Sequence, residues 1–106
     1  MRNINQEEWR DLISEDDNAV IIDCRTPMEW NSGVIENSIL ANIGNPHSFM
    51  SEVNKLDKEK NYYVYCRSGV RSTQACQVLE NIGVKITFNL LGGIVSWNGK
   101  IVFTKI

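Results

Sequence analysis

The stretch YCRSGVRS, residues 65–72, joins two segments of different periodicity. Before it stands the apolar and aromatic run Tyr62–Tyr65, which predicts a short buried strand. After it, apolar residues recur at helical spacing and predict a helix over 70–81. The stretch is therefore a loop between a strand and a helix, and Gly69 allows that loop to turn tightly.

The same alternation of short apolar runs and amphipathic segments extends over the rest of the chain. Asn5 and Glu8 have the spacing of a capping box and predict the start of a first helix. Thr26, Pro27 and Glu29 mark the start of another. We therefore predict an α/β fold, with a mainly parallel central sheet of about five strands and helices on both faces. Further strands are predicted over 19–22, 38–42 and 86–90 with an edge strand over 101–106, and further helices over 47–55 and 94–98.

The composition is that of one globular domain over residues 1–106. Hydrophobic residues make up 42% and charged residues 23%, which is typical of a folded rather than a disordered chain. The net charge of −2 indicates no basic face for nucleic acid, and no apolar run is long enough to span a bilayer. The first residues, MRNINQEEW, lack the apolar core of a secretory signal, so we expect a cytoplasmic protein. We also expect a monomer or a weak homodimer.

Three cysteines, Cys24, Cys66 and Cys76, make an odd number without C-x-x-C spacing, and in a reducing cytoplasm we expect no disulfide framework. His47 is the only histidine, and no ligand pair has the spacing of a structural zinc site, so we expect no metal. Cys76 falls beside the apolar stripe of the predicted helix and is expected to be a core residue. Cys24 follows Asp23 near a strand end, where it is either a packing residue or a resolving thiol close to Cys66.

Cys66 stands at the carboxyl end of its predicted strand, which is the edge where parallel sheets bind ligands. Backbone N–H groups at the start of the following helix point toward this edge and favour negative charge there. Arg67 and Arg71 add positive charge, so we expect the Cys66 thiol to ionise near neutral pH and to act as a nucleophile. Ser68 and Ser72 add hydroxyl donors.

Three motifs, in this order, resemble the signatures of rhodanese domains, which are sulfurtransferases. DCRTPMEW at 23–30, continued by SGVI at 32–35, resembles their upstream motif. The loop CRSGVRS at 66–72 resembles their active-site loop, and LLGGIVSW at 90–97 resembles their downstream motif. The family usually has an aliphatic residue where Cys24 stands.

The resemblance implies a chemistry in which Cys66 is the catalytic residue. Its thiolate attacks the outer sulfur of a donor such as thiosulfate and forms a persulfide, which the loop N–H groups and Arg71 stabilise. Cyanide, a small thiol or a partner protein's cysteine then removes the sulfur, without a metal or an organic cofactor. We also expect Asp23 and Arg25 to brace the rim through ionic hydrogen bonds. The active-site loop consists of Arg67, Ser68, Gly69, Val70, Arg71 and Ser72.

Two other functions stay open. A cysteine phosphatase or arsenate reductase uses a similar but larger loop, typically C-x5-R, whereas four residues separate Cys66 from Arg71 here. A ring of this size fits one terminal sulfur better than a tetrahedral oxyanion. The other alternative is a non-catalytic binding or regulatory module of the same fold, although inactive relatives commonly lose the cysteine that this chain keeps.

Overall fold

Strands and helices alternate along the computed structural model, which describes residues 1–103. No helix of this described part is long and apolar enough to cross a membrane. A single turn of 3-10 helix covers Ile94–Ser96. The elements in chain order are β1 (Arg2–Ile4), α1 (Gln6–Ser14), β2 (Ala19–Asp23), α2 (Pro27–Trp30), β3 (Val34–Ile35), β4 (Ser38–Leu40), α3 (Pro46–Val53), β5 (Asn61–Tyr65), α4 (Val70–Asn81), β6 (Ile86–Leu90) and β7 (Ile101–Val102).

Five strands form one sheet in the order β1-β6-β5-β2-β4. Every pairing in this sheet is parallel, so the carboxyl ends of its strands meet at one edge. The central strand is β5, and its residues Tyr62–Tyr65 are all buried. Burial on both faces explains why this run is continuously apolar and aromatic rather than alternating. The predicted parallel sheet is confirmed.

Alternate residues of the central strands face two separate apolar clusters, one on each side of the sheet. On one side, Ile22 of β2 packs in a cluster with Phe49 of α3 and Leu79 of α4. On the other side, Ile21 packs in a cluster with Trp9 of α1. Helices therefore cover both faces of the sheet, as the sequence predicts.

The edge strands differ from the prediction. The sequence predicts an edge strand over 101–106, but the fifth strand of the sheet is β1, which pairs with β6. Within the predicted tail strand, β7 pairs antiparallel with β3 in a separate two-stranded sheet, and residues 104–106 lie outside the described part. Because β1 has three residues and only Ile4 is buried, no periodic pattern marks it in the sequence.

Local capping determines where the helices begin and end. The helix α4 has the predicted bounds, and Gly83 follows it at a φ of 109°, as a helix-terminating glycine does. Helix α3 begins at Pro46, one residue early, because Asn45 accepts a hydrogen bond from the Ser48 N–H at 3.2 Å. The helix predicted over 94–98 is only the 3-10 turn.

Candidate active site

The loop between β5 and α4 places the Cys66 sulfur at the carboxyl edge of the sheet. Cys66 is the first residue after β5 and is 1% exposed. Gly69 stands at the N-cap of α4 with a φ of 104°, in the left-handed region that glycine adopts without strain. With the chain in this conformation, the N–H groups of Gly69 and Ser72 both donate to the sulfur.

The hydrogen bonds around the Cys66 sulfur favour its ionised form. The N–H groups of Gly69 and Ser72 donate to Sγ at 3.1 and 3.4 Å, and the Ser72 hydroxyl oxygen lies 3.3 Å away. The pKa of Cys66 falls to about 4, because a hydrogen bond from the neighbouring Cys24 thiol, the Ser72 hydroxyl and these amides together outweigh burial. Cys66 is thus a thiolate at neutral pH, the form that acts as a nucleophile.

Asn89 of strand β6 holds the Ser72 hydroxyl in place. The hydroxyl has one proton to share between Asn89 Oδ1, at 2.5 Å, and Cys66 Sγ, at 3.3 Å. Asn89 Nδ2 in turn donates to Asn3 Oδ1 at 2.9 Å and to the Gly69 carbonyl at 3.3 Å. No motif drew attention to Asn89 in the sequence. The signal that could have found it is an amide side chain inside a strand whose last four residues are all buried.

Arg71 ties the start of α4 to helix α2. Its Nη1 and Nη2 donate to Oε1 and Oε2 of Glu29 at 2.7 and 2.9 Å. The same carboxylate accepts the Thr26 N–H at 3.2 Å and so completes the capping box of α2. The Arg71 guanidinium lowers the pKa of Glu29 to about 2. The structure therefore places the Arg71 side chain on Glu29, from where its positive charge still acts on Cys66.

A buried ion pair holds the rim beside the loop. Arg25 donates to Asp23 from Nη2 to Oδ2 at 2.7 Å and from Nε to Oδ1 at 3.0 Å, and it donates to the Gly33 carbonyl at 2.8 Å. The Tyr65 hydroxyl donates to the same carboxylate at 2.8 Å. Since both charged side chains are buried, solvent screens these bonds little. They tie the end of β2 to the turn at Gly33.

The turn that follows β6 lies against the backbone of the active-site loop. The Ile94 N–H donates to the Cys66 carbonyl at 3.0 Å, and the Val95 N–H donates to the Arg67 carbonyl at 3.1 Å. Gly93 has a φ of 60°, and a Cβ at this position would overlap the Arg67 carbonyl. Only glycine fits here, so the downstream motif shapes the loop through close backbone contact.

A cleft of about 350 Å³ opens beside the loop. Arg67, Ser68 and Val70 are exposed, and Arg67 is among the residues that line this cleft. Arg25 and Glu29 also line it, but each is held in an ion pair. Across residues 1–103, no group of three His, Cys, Asp or Glu side chains is placed to hold a metal ion. The remaining lining residues are Ser32, Gly33, Ile94, Val95 and Ile101.

The other two cysteines are also buried. Cys76 is 0% exposed, which confirms its predicted place in the core. Its sulfur lies 3.8 Å from the Phe88 carbonyl, and burial raises its pKa to about 12. Cys24 is 0% exposed. Its hydrogen bond to Cys66, together with burial, raises its pKa, so a protonated thiol lies beside the Cys66 thiolate.

The profile described as "Rhodanese-like domain" matches residues 5–100, which is most of the chain. The chain belongs to the rhodanese-like domain family. A rhodanese-like domain protein from Staphylococcus aureus has a similar structure, with a TM-score of 0.84 and 27% identity, covering 99% of this chain and 100% of that one. A protein of Allochromatium vinosum named "Sulfurtransferase" is 31% identical over 94 residues, which cover 89% of this rhodanese-like domain and 85% of that protein. The tRNA uridine(34) hydroxylase of Pelagibacter ubique is 33% identical over 94 residues. The aligned residues cover 89% of this rhodanese-like domain but only 31% of that protein.

Proposed function

We propose that this domain is a sulfurtransferase that moves a sulfane sulfur from thiosulfate, or from another persulfide donor, to a thiophilic acceptor through a Cys66 persulfide. The observation that carries the proposal is the Cys66 sulfur itself, which is buried at the carboxyl edge of the sheet and accepts hydrogen bonds from the N–H groups of Gly69 and Ser72. The similarity to a protein named "Sulfurtransferase" supports it.

In the first half-reaction, the Cys66 thiolate attacks the outer sulfur of thiosulfate. The S–S bond of the donor breaks, sulfite leaves with the electron pair, and the outer sulfur stays on Cys66 as a persulfide. No general base is required, because a pKa of about 4 leaves the thiol ionised. The exposed positive charge of Arg67 in the cleft attracts the anionic donor.

The loop then stabilises the negative charge of the persulfide. The N–H groups of Gly69 and Ser72 converge on Cys66 Sγ, so the charge of the persulfide, on the next atom, lies close to the same donors. The Ser72 hydroxyl contributes from a position that Asn89 holds. Arg71 adds positive charge from its place on Glu29.

In the second half-reaction, the acceptor attacks the outer sulfur. Cyanide, a small thiol or a protein cysteine approaches it from the side of the cleft that Arg67 lines. The persulfide S–S bond breaks, and Cys66 leaves as a thiolate. The low pKa of Cys66 makes it a good leaving group. The same hydrogen bonds therefore serve both half-reactions.

The test is intact mass spectrometry after exposure to thiosulfate, followed by cyanide. We expect one sulfur atom to be added to Cys66, and cyanide to remove it as thiocyanate. Cys66→Ser is expected to gain no sulfur while it keeps its fold by circular dichroism, because an alcohol of similar size stays protonated. Cys76→Ala is the matched control, since it removes a buried thiol whose hydrogen bond goes to the Phe88 carbonyl.

Three results would contradict the proposal. Substantial sulfur transfer by Cys66→Ser would remove Cys66 from its role as nucleophile. Aryl-phosphate hydrolysis without sulfur uptake would indicate a phosphatase. Inertness toward both substrates, with a thiol that still reacts with alkylating reagents, would favour the non-catalytic module.

A further inference from the structure

Cys24 and Cys66 occupy neighbouring positions on two adjacent parallel strands. The register of β2 and β5 pairs Asp23 with Tyr65, the last residues of the two strands, and each cysteine is the residue that follows. The Cys24 N–H donates to the Tyr65 carbonyl at 3.1 Å, so the ladder continues to this point. Adjacent strands lie about 4.8 Å apart. That spacing falls within the Cα separations of about 4.4 to 6.8 Å that a disulfide spans.

Both thiols also point to the same side of the sheet. Cys24 and Cys66 pack in one apolar cluster with Ile22 and Val64, which stand two residues earlier on the two strands. The two cysteines are 0% and 1% exposed, so they meet in a space closed to bulk water. The neighbouring Cys24 thiol is also the largest of the influences that lower the pKa of Cys66.

The geometry points to Cys24 as a resolving thiol, which releases the outer sulfur of a Cys66 persulfide as hydrosulfide and closes a Cys24–Cys66 disulfide. This inference rests on the proposed function, because it uses the persulfide that sulfur transfer forms. It supplies a second route of discharge when no external acceptor enters the cleft.

The step balances without an added oxidant. The Cys24 sulfur attacks Cys66 Sγ, the inner sulfur of the persulfide, and a new S–S bond forms. The bond between Sγ and the outer sulfur breaks, and the outer sulfur leaves with the electron pair. The proton of the Cys24 thiol passes to this departing sulfur, which leaves as HS⁻. The two cysteine sulfurs are oxidised to the disulfide, and the sulfane sulfur is reduced.

The charge distribution favours this order of events. While Cys66 is a free thiolate, its negative charge holds the proton on Cys24 and raises the Cys24 pKa. Persulfide formation moves the charge to the outer sulfur, one bond further from Cys24, and places it on the atom that accepts the proton. A thiol in solution afterwards reduces the disulfide through a mixed disulfide and restores both cysteines.

The experiment uses the fully reduced chain, under anaerobic conditions, with thiosulfate and no acceptor. A sulfide-specific fluorescent probe measures hydrosulfide, and peptide mapping locates the new link. We expect hydrosulfide release stoichiometric with the chain, and a Cys24–Cys66 disulfide that dithiothreitol reverses. Cys24→Ala and Cys24→Val are expected to keep the added sulfur and to release no hydrosulfide. Cys76→Ala is the matched control and is expected to behave as the native chain.

The outcomes separate this inference from the proposed function. A native chain that keeps its added sulfur, passes it to cyanide and never forms the disulfide overturns the resolving role and leaves sulfur transfer standing. Undiminished hydrosulfide release by both Cys24 variants overturns it as well. A native chain that takes up no sulfur overturns both proposals. Mapping of the native chain requires no variant, so a variant that fails to fold does not obscure the answer.

Discussion

Arg71 and Glu29 connect the active-site loop to helix α2 through two hydrogen bonds of 2.7 and 2.9 Å. The two residues are 42 positions apart in the sequence. Because Glu29 also accepts the Thr26 N–H, one carboxylate both caps α2 and holds the start of α4. The loop is therefore supported from outside by a side chain that belongs to another motif.

Glu29→Gln is expected to destabilise the fold in a pH-dependent way. The pKa of Glu29 is about 2 in the folded protein and 4.5 in the unfolded chain. The ionised carboxylate therefore stabilises the fold fully above pH 4.5, and this stabilisation is lost as the pH falls toward 2. We expect the variant to lose about 1 kcal/mol of unfolding free energy at neutral pH, because the pair is partly exposed. Urea unfolding at several pH values measures the difference between the native and variant chains, which should shrink below pH 4.5. Glu52→Gln, which alters an exposed pair with Lys55, is the control.

Ser72→Ala is expected to raise the pKa of Cys66 above about 4, since the hydroxyl is one of the groups that lower it. It also leaves Asn89 Oδ1 without its buried donor, which should cost about 1 to 3 kcal/mol of unfolding free energy. The pKa of Cys66 is measured from the thiolate absorbance during an acid titration, with Cys66→Ser as the blank. Ser68→Ala changes an exposed serine of the same loop and is the control. An unchanged titration in Ser72→Ala would contradict the assigned hydrogen bond.

Gly93→Ala is expected to distort the active-site loop. The added Cβ would overlap the Arg67 backbone carbonyl, and backbone cannot yield as a flexible side chain does. Gly83→Ala is a suitable control, because Gly83 also has a positive φ, of 109°, but a Cβ there meets only the Lys58 side chain at 3.4 Å. Backbone strain should lower the unfolding free energy of both variants by about 1 to 2 kcal/mol. The overlap with Arg67 should lower that of Gly93→Ala further. Only Gly93→Ala should reduce sulfur uptake from thiosulfate, which mass spectrometry can measure.

Loop size is expected to exclude phosphatase activity. Four residues lie between Cys66 and Arg71, and the N–H groups of Gly69 and Ser72 are already within 3.4 Å of the sulfur. Donors this close cannot also reach the outer oxygens of a phosphate with good geometry. We expect thiosulfate sulfurtransferase activity and negligible hydrolysis of an aryl phosphate. Insertion of one glycine beside Gly69 should weaken persulfide stabilisation and admit weak phosphatase activity. Efficient phosphate turnover by the native chain would contradict this interpretation of the loop.

The sequence by itself determined the parallel α/β sheet and the position of Cys66 at its edge. Both follow from local patterns: a continuous apolar run before Cys66, helical periodicity after it, and a glycine where the chain must turn. The bounds of α4 and the core position of Cys76 were predictable for the same reason, since a helix places its own residues relative to one another. Each of the three family motifs is likewise a short run of neighbouring residues, so it is visible in the sequence alone.

Only the tertiary structure decided which side chains meet at the site. Glu29 as the partner of Arg71, Asn89 as the partner of Ser72, and Cys24 beside Cys66 each join residues from different strands or helices. The same holds for β1, whose place in the sheet depends on its pairing with β6. Such contacts depend on strand order and register, which no local periodicity encodes. The chain therefore carries Cys66 and its loop in one short segment, while the sheet brings the neighbouring side chains to them from other parts of the sequence.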